Sequence, residues 1–263
     1  MPLHKVGTYK KPISDPALKA PADVAKALAA PRDDVEPASD GTWYFHADEP
    51  ATILVRGRKT KVVHHRICWM EGDTARRAID IIPSNSAPSF DKTRSVAYVT
   101  ASEARIFRLF LNSGKVEQIR VEGIQFDPDD KDPALTKVDI LADGRLIVHL
   151  PSYPSRLFVC EPHADGFRVQ YNFTFLGEYA VVSGRFLVGG GLPVVALAFT
   201  STEARIVANY PEADCDRVYI VGNVPRLYSK AGCFEVLGLD EAWVEFEKHP
   251  TTFPIYPGWQ PPA

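Results

Sequence analysis

Thr100-Ala-Ser-Glu-Ala-Arg-Ile106 returns as Thr200-Ser-Thr-Glu-Ala-Arg-Ile206, and the echo continues in the same order on both sides. Downstream, Ile119-Arg-Val121-Glu-Gly123 is matched by Val218-Tyr-Ile220-Val-Gly222. Val138 to Asp143 is matched by Glu235 to Asp240, and Leu146-Ile-Val148 by Trp243-Val-Glu-Phe246, before Pro151 and Pro250. Upstream, Trp69-Met-Glu-Gly72 pairs loosely with Thr174-Phe-Leu-Gly177. The stretches that recur are short, rich in Val, Ile, Phe and Tyr, and broken by turn residues, which is the pattern of strands. Units of this size with six or seven short strands suit a sandwich or a small barrel.

The expected fold is therefore all-β, with two tandem duplicated β-sandwich or barrel-like domains over residues 42–160 and 161–263. Residues 1–41 read as an extended, proline-rich N-terminal arm, with prolines at 2, 12, 16, 21, 31 and 37 and one short helix between Pro21 and Pro31. The C-terminal Pro250-Thr-Thr-Phe-Pro-Ile-Tyr-Pro-Gly-Trp-Gln-Pro-Pro262 reads as an extended tail. Its Phe253, Tyr256 and Trp259 need a groove, either of this chain or of a neighbour. Ala142-Asp143-Gly144 marks a hairpin turn.

With 45% hydrophobic residues in 263, the chain has ample core material, and a net charge of −3 excludes a generally basic nucleic-acid binder. Charge is nevertheless uneven. Arg56, Arg58, Lys59, Lys61, Arg66, Arg76 and Arg77 cluster in the first unit, whereas Glu235, Asp240, Glu241, Glu245 and Glu247 cluster near the end. Opposite fields of this kind steer head-to-tail association of copies. Arg56, Arg58, Lys59 and Lys61, with Tyr44 or Trp69 to stack, also define a nucleic-acid contact. No run approaches the length needed to span a bilayer, and the four cysteines show no close pairing, so cytoplasmic synthesis is expected.

Motifs that would name a reaction are missing. His64, Cys68 and His46 come nearest to a metal set, but His64 and Cys68 are only two ligands on one strand face, and no metal or other cofactor is expected. Cys160-Glu-Pro-His163, with His149 upstream, lacks the second close pair of a zinc site. Asp127-Pro-Asp129-Asp130-Lys-Asp132-Pro133 lacks the glycine and distant glutamate of a calcium loop, and Gly189-Gly190-Gly191 lacks the lysine of a phosphate loop. Glu103 with Arg105, and Glu203 with Arg205, lie two apart on one strand face, as structural ion pairs or subunit contacts do. No catalytic set can be named. The expected function is a structural or assembly protein, forming homo-oligomers or contacting other assembly proteins through arm and tail, in a virion, phage tail or similar particle. The alternative is an enzyme, small-ligand binder or metal binder whose pocket lies between the units, with His46, His64, Cys68 and His149 as its best residues.

Overall fold

Val194-Val-Ala-Leu-Ala-Phe199 contains no polar residue, and all six of its side chains are buried. A sandwich strand has one face in the core and one in water, so its residues alternate in polarity. This strand has no water-facing side. Val195, Leu197 and Phe199 enter one apolar cluster while Val194, Ala196 and Ala198 enter another. A sheet buried on both faces needs a sheet on each side, and an antiparallel chain satisfies that demand by arranging small sheets radially.

The computed structural model shows this arrangement: 53% of the chain is strand and 11% helix, laid out as a five-bladed β-propeller. It describes residues 3–7, 18–55, 58–79, 86–101, 104–126, 134–151, 154–191, 193–211, 213–257 and 259–260. The chain opens with β1 (Leu3–Gly7) and a short helix α1 (Ala22–Ala27). The first sheet holds β2 (Glu36–Pro37), β3 (Trp43–Val55), β4 (Arg58–Glu71) and β5 (Thr74–Arg77), and the second holds β6 (Ser89–Asp91), β7 (Val96–Ala101), β8 (Arg105–Phe110) and β9 (Val116–Ile119). After β10 (Val121–Glu122), the third sheet holds β11 (Lys137–Ile140), β12 (Leu146–Leu150), β13 (Arg156–His163) and β14 (Gly166–Thr174). The fourth holds β15 (Tyr179–Val182), β16 (Phe186–Gly189), β17 (Val194–Phe199) and β18 (Ala204–Tyr210). The fifth has β19 (Arg217–Val221), β20 (Val224–Ser229) and β21 (Gly232–Val236), then α2 (Leu239–Lys248) and β22 (Trp259–Gln260) follow.

The fifth sheet takes its fourth strand from the other end of the chain. β1 pairs antiparallel with β21, Leu3 opposite Val236 and Lys5 opposite Phe234, and Lys5 Nζ donates to Ala231 O at 2.8 Å. β1 thus covers an edge that would otherwise present unpaired backbone groups to solvent. Four apolar clusters fill the interfaces between successive sheets, one for each pair from first–second to fourth–fifth. The remaining face of the first sheet, carrying Phe45 and Cys68, packs under α1 through Ala25 and Leu28.

The two-sandwich expectation is corrected by this geometry. The boundary between residues 160 and 161 falls inside β13, which pairs with β12 on one side and β14 on the other. The echo that suggested duplication is out of step with the sheets. Its first copy spans the connection from second to third strand of the second sheet, and its second copy the connection from third to fourth strand of the fourth sheet. Turn chemistry accounts for the second copy, because Thr200 Oγ1 accepts the amides of Thr202 at 3.2 Å and Glu203 at 3.0 Å. Asp240–Glu247, which the sequence reads either as a strand over Ala242–Glu247 or as a helical turn or two, is part of α2, whose Trp243 and Phe246, three apart on one face, pack against Phe186 and Phe253.

If β1 closes the ring, deleting residues 1–7 exposes β21 and removes the burial of Leu3. The expected cost is about 2 kcal/mol, a fall of roughly 4–8 °C in Tm by calorimetry. An unchanged midpoint would show that the ring closes without β1.

Candidate functional site

Each sheet runs from its first strand to its second through a tight turn, and the residues of these turns are chosen by backbone geometry. In the first sheet, Asp40 accepts from Thr42 N at 3.0 Å and from Thr42 Oγ1 at 2.6 Å. In the second, Asp91 Oδ1 accepts the amides of Thr93 at 3.0 Å and Arg94 at 3.2 Å, and its Oδ2 accepts from Arg94 Nη1 at 2.5 Å. In the third, Asp143 accepts from Arg145 N at 3.0 Å and from Arg145 Nε at 2.8 Å. Aspartate suits these positions because its short carboxylate reaches the amide two residues on. The fourth and fifth turns use left-handed backbone instead, at Ser183-Gly184 and Gly222-Asn223.

The five turns converge. A cavity of about 360 Å³ is lined by Ser39 and Asp40 from the first, Ser89 to Arg94 from the second, Ile140 to Ala142 from the third, Val181, Ser183 and Gly184 from the fourth, and Asn223 from the fifth. Side chains and backbone tie the turns to one another. Lys92 Nζ lies 3.3 Å from Asp40 Oδ2, Arg94 Nη2 donates to Ala142 O at 3.2 Å, and Ala142 N donates to Gly184 O at 2.9 Å. Ile140 N donates to the buried Ser89 Oγ at 3.0 Å. Gly184 is required by closeness as well as by its positive φ, since a Cβ there would stand 2.6 Å from Ala142 N. Burial alone would raise the Asp91 carboxyl, but the Thr93 and Arg94 donors and the Arg94 charge outweigh it and hold the group below its ordinary value.

Next to this cavity, between the third and fourth sheets, lies a buried polar group. Asp139 is 2% exposed, with Lys137 Nζ 3.5 Å from its Oδ2, and Ser39 of the cavity wall and Tyr179 as its other polar neighbours. Burial raises its carboxyl. Lys137 Nζ donates to Tyr179 O at 2.6 Å and lies 4.1 Å from the centre of the Tyr179 ring. His149 meets the same ring edge-on at 5.8 Å, with Thr136 Oγ1 2.9 Å from Nδ1 and Ser155 Oγ 2.7 Å from Nε2. Burial first, and the Lys137 charge second, push the imidazole down to about 4.

The residues singled out from sequence fall elsewhere. Cys68 and His46 sit on opposite faces of the first sheet: Cys68 is opposite Phe45 and under α1, while His46 is opposite Ile67 and edge-on to Tyr44. Burial pushes the Cys68 thiol up to about 11. The backbone of His64 pairs with Glu49, and its side chain lies outside the described residues. Among the described residues, no three His, Cys, Asp or Glu side chains converge as a metal set would. Cys160 is buried in the core, whereas His163 stands at the surface 4.0 Å from Glu122. Asp127 to Pro133 and Glu103 lie outside the described residues, and Arg105 stacks on Phe107.

Glu203 and Arg205 form an ion pair, and the guanidinium also holds the tail by donating to Thr251 O and Phe253 O. Phe253 packs on Phe246, Tyr256 on Phe173 and Phe175, and the backbone of Trp259 pairs with Phe173. These tail contacts lie within the chain. No helix among the described residues is long and apolar enough to cross a membrane.

No family model matches the chain, and no curated protein matches it. Among solved structures it is similar to the crystal structure of a protein from Lactobacillus plantarum, with 12% identity and a TM-score of 0.45, over 80% of this chain and 71% of that one. At that level the likeness carries no argument about function.

The unfolded His149 imidazole takes a proton near pH 6.5 and the folded one only near 4, so its stabilising contribution is complete above pH 6.5 and is lost as pH falls through that window, by roughly 2–3 kcal/mol. Asp139, raised by burial, acts in the opposite sense, so urea unfolding of His149→Gln is expected to show a flat or reversed dependence between pH 4 and 6.5; an unaltered acid limb contradicts the assignment. In the tail, Arg205→Ala is expected to speed proteolytic cleavage beyond residue 249 at least fivefold, and an unchanged cleavage rate would show that the tail is held by other contacts.

Proposed function

We propose that the protein binds a small, neutral, hydroxyl-rich molecule, of the size of a sugar or polyol, in the cavity formed by the five turns. The observation that carries this reading is the convergence of one turn from every sheet on a single cavity of about 360 Å³. Its charges are already matched internally, Asp40 with Lys92 and Asp91 with Arg94, which favours a neutral ligand over an ion. The Ser183 hydroxyl and the Asn223 amide supply donors and acceptors, the Thr93 and Ser39 oxygens, whose hydroxyls are engaged by Asp91 and Asp139, supply acceptors, and Phe90, Ile140, Leu141 and Val181 supply an apolar surface for C–H groups. Both mouth carboxylates are engaged by their own turns, so the arrangement favours binding over acid–base catalysis.

Titration calorimetry against a panel of neutral mono- and disaccharides and linear polyols tests the reading, with inorganic phosphate as the anionic control. Saturable binding of a neutral member is expected, weakened about tenfold by Asn223→Gly, which removes the amide while keeping the left-handed turn. Binding of phosphate alone, or of nothing in the panel, would overturn it.

A second reading keeps the assembly role, restricted to contact between copies, since nothing in the fold or the comparisons points to a virion or tail particle. It is favoured by the β3–β4 hairpin. Among the described residues, the end of the hairpin from Arg58 to His65 on β4 pairs with β3 alone, and Arg58, Lys59 and Lys61 on it are exposed. Asp240, Glu241, Glu245 and Glu247 on α2 are exposed as well, a complementary acidic face. Sedimentation at low and high salt should then show an oligomer that salt dissociates. A monomer at both salts removes this reading, and salt-sensitive binding to DNA or RNA would transfer the basic hairpin to a nucleic-acid role.

A further inference from the structure

We infer a binding site for a small amphipathic organic cation, a primary ammonium on an apolar body, in the wedge between the fourth and fifth sheets. A cavity of about 370 Å³ opens there and shares no residue with the ring of turns. One part of its wall is apolar: Leu3 of β1, Leu227 of β20, Phe234 of β21 and Tyr210 at the end of β18 belong to one apolar cluster, and Pro211 extends it. The other part is polar, with Asn209 and Asp214 exposed and Ser229 buried. Ser229 is already engaged, its Oγ accepting from Ala231 N at 3.1 Å. Asp214 is the one charged residue of the lining, and among the described residues no hydrogen bond or ion pair engages its carboxylate.

An apolar wall with a single carboxylate beside it asks for hydrocarbon and one positive charge in the same molecule. The wall also shows that it attracts an ammonium. Lys5 Nζ donates to Ala231 O at 2.8 Å and lies 5.8 Å from the centre of the Phe234 ring, and both of these partners are lining residues. Lys5 already takes that carbonyl and ring, and its charge repels a second cation from them. The ligand ammonium is therefore placed at Asp214, where a charge-assisted bond forms and the Asn209 side-chain oxygen is a further acceptor. A neutral molecule of the same shape covers the apolar wall equally well but leaves Asp214 to water, so charge is what the site reads.

The probe is 2-phenylethylamine, cationic at neutral pH, followed by ligand-observed NMR on the full chain. Its counterparts are 2-phenylethanol, which is neutral, 3-phenylpropionate, which is anionic, and methylammonium, which has the charge without the body. Saturable binding of the phenylethylammonium ion is expected, about fivefold tighter than the alcohol, with neither 3-phenylpropionate nor methylammonium saturating. Asp214→Asn, at an exposed position, should bring the ammonium down to the affinity of the alcohol and leave the alcohol unchanged. Asp165→Asn makes the same change in net charge at the exposed turn between β13 and β14, and should leave both affinities unchanged. The inference is overturned if the ammonium does not saturate, if the alcohol or the anion binds as tightly, if methylammonium alone saturates, if Asp214→Asn binds the ammonium as the parent does, or if Asp165→Asn weakens it equally.

Discussion

Burial of both faces of the inner strands, as in β7, β15, β16 and β17, is the constraint on which this structure rests. Each fully buried Val, Leu or Phe contributes roughly 1.5–3 kcal/mol, so a strand such as β17, with all six side chains buried, cannot tolerate an open face. The division of labour within that strand is telling. Large side chains (Val195, Leu197, Phe199) meet the third sheet, while Ala196 and Ala198 let the fifth approach closely. The same alternation recurs in β15, where Tyr179 and Val181 face one neighbour and Ala180 and Val182 the other. Packed this way, the sheets form a ring, in which β1 completes the fifth sheet by pairing with β21 and α1 lies over the remaining face of the first sheet.

The proposed binding function follows from the same arrangement. Strands that are buried on both faces leave only their turns for chemistry, and the first turn of each sheet is brought to one cavity. The turns are rigid for local reasons, aspartate caps in three and left-handed pairs in two, and they are cross-tied by Lys92, Arg94 and the Ala142–Gly184 backbone bond. A preorganised ring of this kind loses little entropy when a ligand is bound.

The sequence made the strand content, the proline-rich N-terminal region with its helix, the Ala142-Asp143-Gly144 hairpin and the aromatic tail legible. It misled on the repeat. The seven-residue echo was the loudest signal, but part of it is a Thr-x-x-Glu turn, and such turns recur wherever local hydrogen bonding favours them. The informative repeat was quieter: Asp40-Gly41, Asp91 to Arg94, Asp143-Gly144-Arg145, Ser183-Gly184-Arg185 and Gly222-Asn223, each leading into an apolar strand. Read together with the unbroken apolar run Val194–Phe199, those turns point to several two-face-buried sheets. Asp139 and Tyr179 were not legible, because a buried polar pair is defined by which strands become neighbours. That His46 and Cys68 lie on opposite faces was not legible either, because it depends on the register in which β3 pairs with β4.

Closure of the ring by the first strand is the claim to test most directly. In a background with the native cysteines replaced, His4→Cys and Glu235→Cys place thiols on directly opposed residues of β1 and β21. Mild oxidation should give a cross-link within one chain, detected as a disulfide-bonded peptide pair at monomer mass. Absence of the cross-link, or cross-links only between chains, would contradict a ring closed by its own N-terminal strand.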